Sequence, residues 1–195
     1  MKKQTKINVS RLCLVLGAAL LLVGAVVLIS WQWGIHSARE NAADYVRQIR
    51  SLTPAPQGAL LEERSENAMA VLSIEGEDFV GLLEMPRYGS VLPVAAGWGD
   101  VSRYPCRFEG SVYDGTLCIG ATSQKGQYDF YREISVGDSV CFTDMEGNQF
   151  SYRVTDIRYE DHADQAALRR KEADLVLFIK NVYAMEYILV FCSGT

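Results

Sequence analysis

The stretch Asp144-Met145-Glu146-Gly147-Asn148-Gln149-Phe150-Ser151-Tyr152-Arg153-Val154 sets a turn directly before a regular alternation of apolar and polar residues. Phe150, Tyr152 and Val154 point one way, and Ser151, Arg153 and Thr155 the other, which is the two-residue period of a half-buried β-strand. The five residues from Asp144 to Asn148, with their Gly and Asn, supply the hairpin turn that leads into it. Working outward, similar short runs recur at Phe79 to Met85, Ser90 to Ala96, Thr116 to Ala121, Ser139 to Thr143, Asp174 to Lys180 and Tyr187 to Cys192, each bounded by turn residues. That spacing predicts an all-β barrel or sandwich, with short helices at Tyr128 to Ile134 and Ala163 to Arg170. The segment 79–195 is long enough to bury one core.

Toward the N-terminus the chemistry changes. Leu12 to Ile35 carries no charged side chain for 24 residues, enough at about 1.5 Å per residue to cross a bilayer core of roughly 30 Å. Lys2, Lys3, Lys6 and Arg11 precede it, no acid flanks it on that side, and Trp31 and Trp33 mark its far end. The positive-inside rule then predicts one transmembrane helix over 12–35, with residues 1–11 in the cytoplasm and everything after His36 outside the cell. A cleaved signal peptide has an apolar region of about 7–15 residues, and this run is longer. Residues 36–78 are expected to form an extracellular helix, Ser37 to Arg50, followed by a stalk. Leu52-Thr53-Pro54-Ala55-Pro56-Gln57-Gly58 breaks the helix, and Glu62, Glu63, Arg64 and Glu66 leave little to bury.

The whole chain of 195 residues is 49% hydrophobic and 22% charged, a folded-protein composition, with a net charge of -5. Beyond Arg11 the balance is 15 basic against 24 acidic residues, a net of -9, which argues against nucleic-acid binding. Five cysteines occur without a CxxC pair, and only His36 and His162 accompany them, so no metal set and no cofactor is expected. Cys118 and Cys141 lie in apolar runs and read as buried thiols. His162, between Asp161 and Ala163, reads as a solvated loop residue.

The order of Gly81-Leu82-Leu83-Glu84-Met85-Pro86, Leu92-Pro93-Val94, Pro105-Cys106-Arg107-Phe108-Glu109-Gly110, Gly137-Asp138-Ser139-Val140 and the 144–154 stretch resembles the sortases, in particular a class-D-like group. Sortases are membrane-anchored cysteine transpeptidases on the outer face of Gram-positive bacteria. The resemblance spans Phe79 to Cys192 and implies an eight-stranded β-barrel with a surface groove for a sorting-signal peptide. It also implies where the family's chemistry belongs. The strand ending in the catalytic histidine corresponds to Leu117-Cys118-Ile119-Gly120-Ala121-Thr122, with Ala121 in the histidine position. The nucleophile strand corresponds to Leu175-Val176-Leu177-Phe178-Ile179-Lys180, with Lys180 in place of cysteine. The arginine position falls on Tyr187, or on Glu186 with a one-residue shift.

A sortase-type reaction needs a thiolate to attack the peptide carbonyl and an acid to protonate the leaving amine, and these residues supply neither. The resemblance therefore implies a membrane-anchored domain without catalysis, binding a sorting-signal-like peptide, a surface protein or an active sortase. The alternative is an active cysteine transpeptidase using a displaced nucleophile, Cys192, in the strand Ile188 to Cys192, or the amine of Lys180. Lys180 otherwise reads as a strand-end lysine reaching solvent or pairing with Glu186. Placing Cys106 before one barrel strand and Cys192 in the last, the resemblance also suggests a Cys106–Cys192 disulfide, one of three fully paired arrangements open to four cysteines.

Overall fold

The computed structural model describes residues 9–55, 57–58, 69–161, 173–184 and 186–195. The turn and alternation at 144–154 become the end of β7 (Ser139–Asp144) and the start of β8 (Asn148–Glu160), the longest strand. Phe150, Tyr152 and Val154 are buried while Ser151, Arg153 and Thr155 are exposed, as the two-residue period predicts. Asp144 organises the turn between these strands. Its carboxylate accepts the backbone N–H groups of Glu146 (2.9 Å) and Asn148 (2.8 Å), the Asn148 Nδ2 amide (3.0 Å) and the Tyr113 hydroxyl.

The other barrel strands are β3 (Glu77–Met85), β4 (Ser90–Ala95), β5 (Cys106–Glu109), β6 (Leu117–Thr122), β9 (Leu175–Asn181) and β10 (Glu186–Gly194). Around the wall the order is β3, β4, β5, β6, β9, β10, β8, β7 and back to β3, an eight-stranded closed barrel. The β4–β5 junction is the thinnest, a parallel pairing at Ala95 and Cys106 reinforced by Ala95 N–H donating to Pro105 O at 2.9 Å. Two short strands lie outside the ring: β1 (Gln57–Gly58) on β8 and β2 (Leu72–Ile74) on β3. Glu75 and Gly76 join β2 to β3 with φ of 54° and 86°, the positive pair that a two-residue hairpin of the right twist requires.

Alternate residues from β3, β4, β6, β7, β8, β9 and β10 fill the barrel. Leu83, Val94, Leu117, Ile119, Ala121, Phe142, Val154, Leu175, Leu177, Ile179, Ile188 and Val190 form the interior with Tyr128 at its centre. The helix expected over Tyr128 to Ile134 is a single 3-10 turn, Asp129–Arg132, because Phe130 and Tyr131 are drawn into that interior and fix the chain. The second expected helix, Ala163 to Arg170, and the stalk residues Glu62 to Glu66 lie outside the described residues.

Helix α1 (Val9–Leu52) belongs to two compact units that divide between Ser37 and Ala38. In the second unit it packs on the outside of the barrel: Tyr45, Val46 and Ile49 join Ile74, Phe79, Leu82 and Tyr104, with the Tyr45 and Phe79 ring centroids 4.9 Å apart. In that unit the helix over Ser37 to Arg50 carries an apolar stripe at Ala42, Tyr45, Val46 and Ile49 that is buried. In the first unit Leu20, Leu21 and Leu22 are 70%, 78% and 69% exposed. Among the described residues no helix is long and apolar enough to cross a membrane.

Candidate functional site

Strands β6 and β9 run parallel, and their side chains divide between the barrel interior and its outer face. Leu117, Ile119 and Ala121 face inward with Leu175, Leu177 and Ile179. Cys118, Gly120 and Thr122 therefore face outward, beside Val176, Phe178 and Lys180. The register pairs Thr122 with Lys180 and Ala121 with Ile179. On the next strand Tyr187 is the partner of Lys180. A row thus crosses three strands on one face: Thr122, Lys180, Tyr187. Ala121, the position that the resemblance assigns to the histidine, lies outside this row. Ala121, 1% exposed, points into the core, and the residue that faces Lys180 from β6 is Thr122.

Hydrogen bonds fix the row's surroundings. Gln127 Oε1 accepts both the Thr122 N–H and its hydroxyl at 3.0 Å, and the Gln127 side chain is buried. Ser123 N–H donates to the Lys180 carbonyl at 3.0 Å, while the Ser123 hydroxyl lies 3.3 Å from Asn181 Oδ1 and accepts the Val182 N–H at 3.0 Å. Asn181 Nδ2 donates to Glu186 Oε1 at 2.7 Å. The carboxylate that the sequence offered to Lys180 is thus held by Asn181, its register partner on the hairpin. Lys180 itself is exposed. Tyr187 is half-buried, its ring 6.1 Å from that of Phe178.

The cysteines lie elsewhere. Cys192 faces the barrel interior at 0% exposure, and burial pushes its thiol up to about 12, so it is protonated and unreachable. The displaced nucleophile that the sequence offered thus faces the barrel interior, and β10 turns it away from the row. Cys106 is buried under α1 in a different cluster, and β6 and β9 stand between its strand and that of Cys192. Three strand spacings of about 4.8 Å exceed the roughly 7 Å that a disulfide bridges. The Cys106–Cys192 bond is accordingly not formed, and all five cysteines are free. Cys118 is buried on the outer face and pushed up to about 12, whereas Cys141 is only half-buried. His162 lies outside the described residues, and His36 is helical with no side chain described. Among the described residues no three His, Cys, Asp or Glu side chains group as a metal site.

Chemically, the row offers a hydroxyl committed to Gln127, an exposed ammonium and a half-buried phenol. None is a thiolate, and no imidazole stands beside them among the described residues. What the sequence reading missed is the outer-face cluster next to the row: Phe108, Phe178 and Tyr187 with Trp98, whose indole stacks on Phe178 at 5.4 Å and 19°. The signal was present, because Cys118, Gly120 and Thr122 alternate with the large apolar residues of the same strand.

The barrel order and the position of this row invite comparison with solved structures. Sortase A from Corynebacterium diphtheriae superposes with a TM-score of 0.55 at 16% identity, covering 83% of this chain and 84% of that one. Sortase C1 from Streptococcus agalactiae gives 0.54 at 18% identity over 63% of this chain and 70% of that one. The fold is that of the sortases. A third, Clostridium perfringens sortase C with the C-terminal cell wall sorting motif, gives 0.52 at 18% identity, covering 61% of this chain and 71% of that one. No protein-family model matches the sequence, and no curated protein matches it. On this sortase fold the polar row and the aromatic cluster share one face, formed by β6, β9 and β10.

Proposed function

We propose that this chain is a membrane-anchored, extracellular sortase-fold domain that binds a peptide or surface-protein partner without cutting it. The observation that carries this reading is the row Thr122, Lys180, Tyr187: a transpeptidase needs a thiolate and an adjacent acid at such a place, and the row has neither. The apolar cluster beside the row supports an extended peptide as ligand, since its aromatic rings offer area on the face where the polar hairpin Asn181–Glu186 ends. The C. perfringens structure with a sorting motif supports a sorting-signal-like sequence as the first ligand to try, with a surface protein or an active sortase as the natural carriers of such contacts. The anchor is Leu12 to Ile35, supported by its lack of charge and by the exposed leucines at 20–22. The four basic residues before it support a cytoplasmic N-terminus and a barrel outside the cell.

The test is binding of a fluorescein-labelled sorting-signal peptide to the full chain in detergent micelles, followed by mass spectrometry of the recovered peptide. Saturable binding with the peptide recovered intact is the expected result. Absence of saturation, or cleavage products that scale with protein, contradicts the proposal.

A further inference from the structure

Trp98 sits in the connection between β4 and β5, in the sequence Gly97-Trp98-Gly99. The connection is pinned on both sides of it. Arg107 Nε donates to Ala96 O at 3.0 Å, and Asp100 Oδ1 accepts the Ser102 N–H at 3.0 Å and the Ser102 hydroxyl at 2.6 Å. Between these pins a β-carbon at either Gly97 or Gly99 meets nothing within 4 Å. Gly97 thus has open space on the N-terminal side of the tryptophan, whereas on the other side the Gly99 carbonyl accepts the Val101 N–H at 3.0 Å.

The indole's seat, by contrast, is shaped for it. It lies flat on Phe178 and edge-on to Phe108, with centroids 5.4 and 5.2 Å away. A β-carbon added at Gly120 would stand 2.6 Å from Trp98 Cζ3 and 2.5 Å from Phe178 Cε1. Gly120 is thus the outward position of β6 left without a side chain, and Trp98 fills that space while remaining 49% exposed. A half-exposed ring that rests on two other rings in space left by a glycine, and that joins its strand through Gly97, is the arrangement of a part that can leave its seat.

We propose that Trp98 is a displaceable plug: its indole occupies the seat over Gly120 and Phe178, and an apolar or aromatic side chain of a bound extended peptide takes that seat when Trp98 swings out. This rests on the reading of the β6–β9 face as a peptide site. Because the closed seat must open first, apparent affinity is reduced by the fraction of chains in which it is open.

The experiment uses the full chain in micelles with Trp31→Phe and Trp33→Phe, so that Trp98 alone fluoresces. The labelled sorting-signal peptide is titrated into this protein and into its W98A and W98F derivatives. The plug predicts at least tenfold tighter binding to W98A, binding to W98F close to that of the parent, and a red-shifted, more acrylamide-quenchable Trp98 when peptide saturates the parent. Weaker binding to W98A with a blue shift makes Trp98 a ligand contact and overturns the plug; so does equal binding without a spectral change. If no variant binds peptide, the peptide reading fails and the plug is judged by thiol labelling alone. Cys118, on the same outer face, should then react with a maleimide at least tenfold faster than the interior Cys192, and faster again in W98A. Equal rates for the two thiols in both proteins show that the seat opens only on global unfolding, and overturn the plug.

Discussion

Thr122 and Lys180 face one another across the parallel β6–β9 ladder, while the neighbouring Ala121 turns into the core against Ile179. The pairing decides which substitutions act on the outer face and which only disturb packing. Grafting an acid and a nucleophile onto this row calls for Thr122→His, Lys180→Cys and Tyr187→Arg. A positioned histidine contributes about 10²- to 10⁴-fold in general acid–base catalysis, so this triple variant is expected to cleave a sorting-signal peptide measurably where the parent does not. The variant with Ala121→His in place of Thr122→His is expected to show no gain and to lose about 1–3 kcal/mol of stability, because it forces a larger polar ring into a filled interior. Urea unfolding together with a fluorogenic cleavage assay separates the two.

Asp144 is 1% exposed and organises the β7–β8 turn through two backbone N–H groups and two side chains. Asp144→Ala leaves those donors unpaired in a buried place and is expected to cost about 2–3 kcal/mol. A denaturant midpoint that stays within error of the parent contradicts the role given to it.

The thiols of Cys118 and Cys192 are pushed up to about 12 by burial, whereas an unfolded cysteine ionises near about 8.5. Their contribution to stability is fully present below that ordinary value and is lost as pH rises toward the folded value, since only the unfolded chain releases the protons. Each thiol lowers stability by about 1.4 kcal/mol per pH unit in this window. Burial pushes the Cys106 thiol up as well, so between about pH 9 and 10, before unfolded tyrosines ionise, the slope of unfolding free energy against pH is expected to be negative and to shrink by about a third in Cys192→Ala. A slope that is unchanged by that substitution counts against the interior placement of the thiol.

Gly120→Ala is expected to destabilise the chain by at least about 1–3 kcal/mol, because the added carbon meets both Phe178 and Trp98. In a Trp98→Ala background the same substitution is expected to cost less, with a coupling of about 0.5–3 kcal/mol in a double-mutant cycle. Strict additivity shows that the two residues do not share a seat.

Much of the barrel was legible because its strands alternate cleanly: Phe150, Tyr152 and Val154 could only face one way once β8 was extended. The same alternation extends to the site. Leu117 and Ile119 are the inward residues of β6, which places Ala121 with them and Thr122 outside, whereas a motif match carries no information on which face a residue takes. Three other features lay beyond sequence patterning. That Cys106 and Cys192 lie in separate clusters depends on which strands become neighbours, a long-range choice that spacing does not encode. The burial of Tyr45, Val46 and Ile49 depends on the barrel presenting Phe79 and Tyr104 to a helix that looks polar by composition. The seat of Trp98 depends on a loop folding across two strands distant in sequence.

The membrane reading makes its own prediction. Deleting residues 1–35 is expected to move the protein from the membrane fraction to the soluble one, and protease added to intact cells is expected to release the barrel by cutting near Glu62 to Glu66. Protection of that segment on intact cells, with cleavage only after lysis, reverses the topology.

The central claim is that the outer-face row lacks a working nucleophile and acid. It is tested most directly by turnover of a fluorogenic sorting-signal peptide by the unmodified full chain in micelles under reducing conditions, with and without an amine acceptor. The account predicts a rate indistinguishable from the protein-free background and unchanged in Cys192→Ala and Lys180→Ala. Turnover well above background that either substitution abolishes would contradict it and make the chain an enzyme.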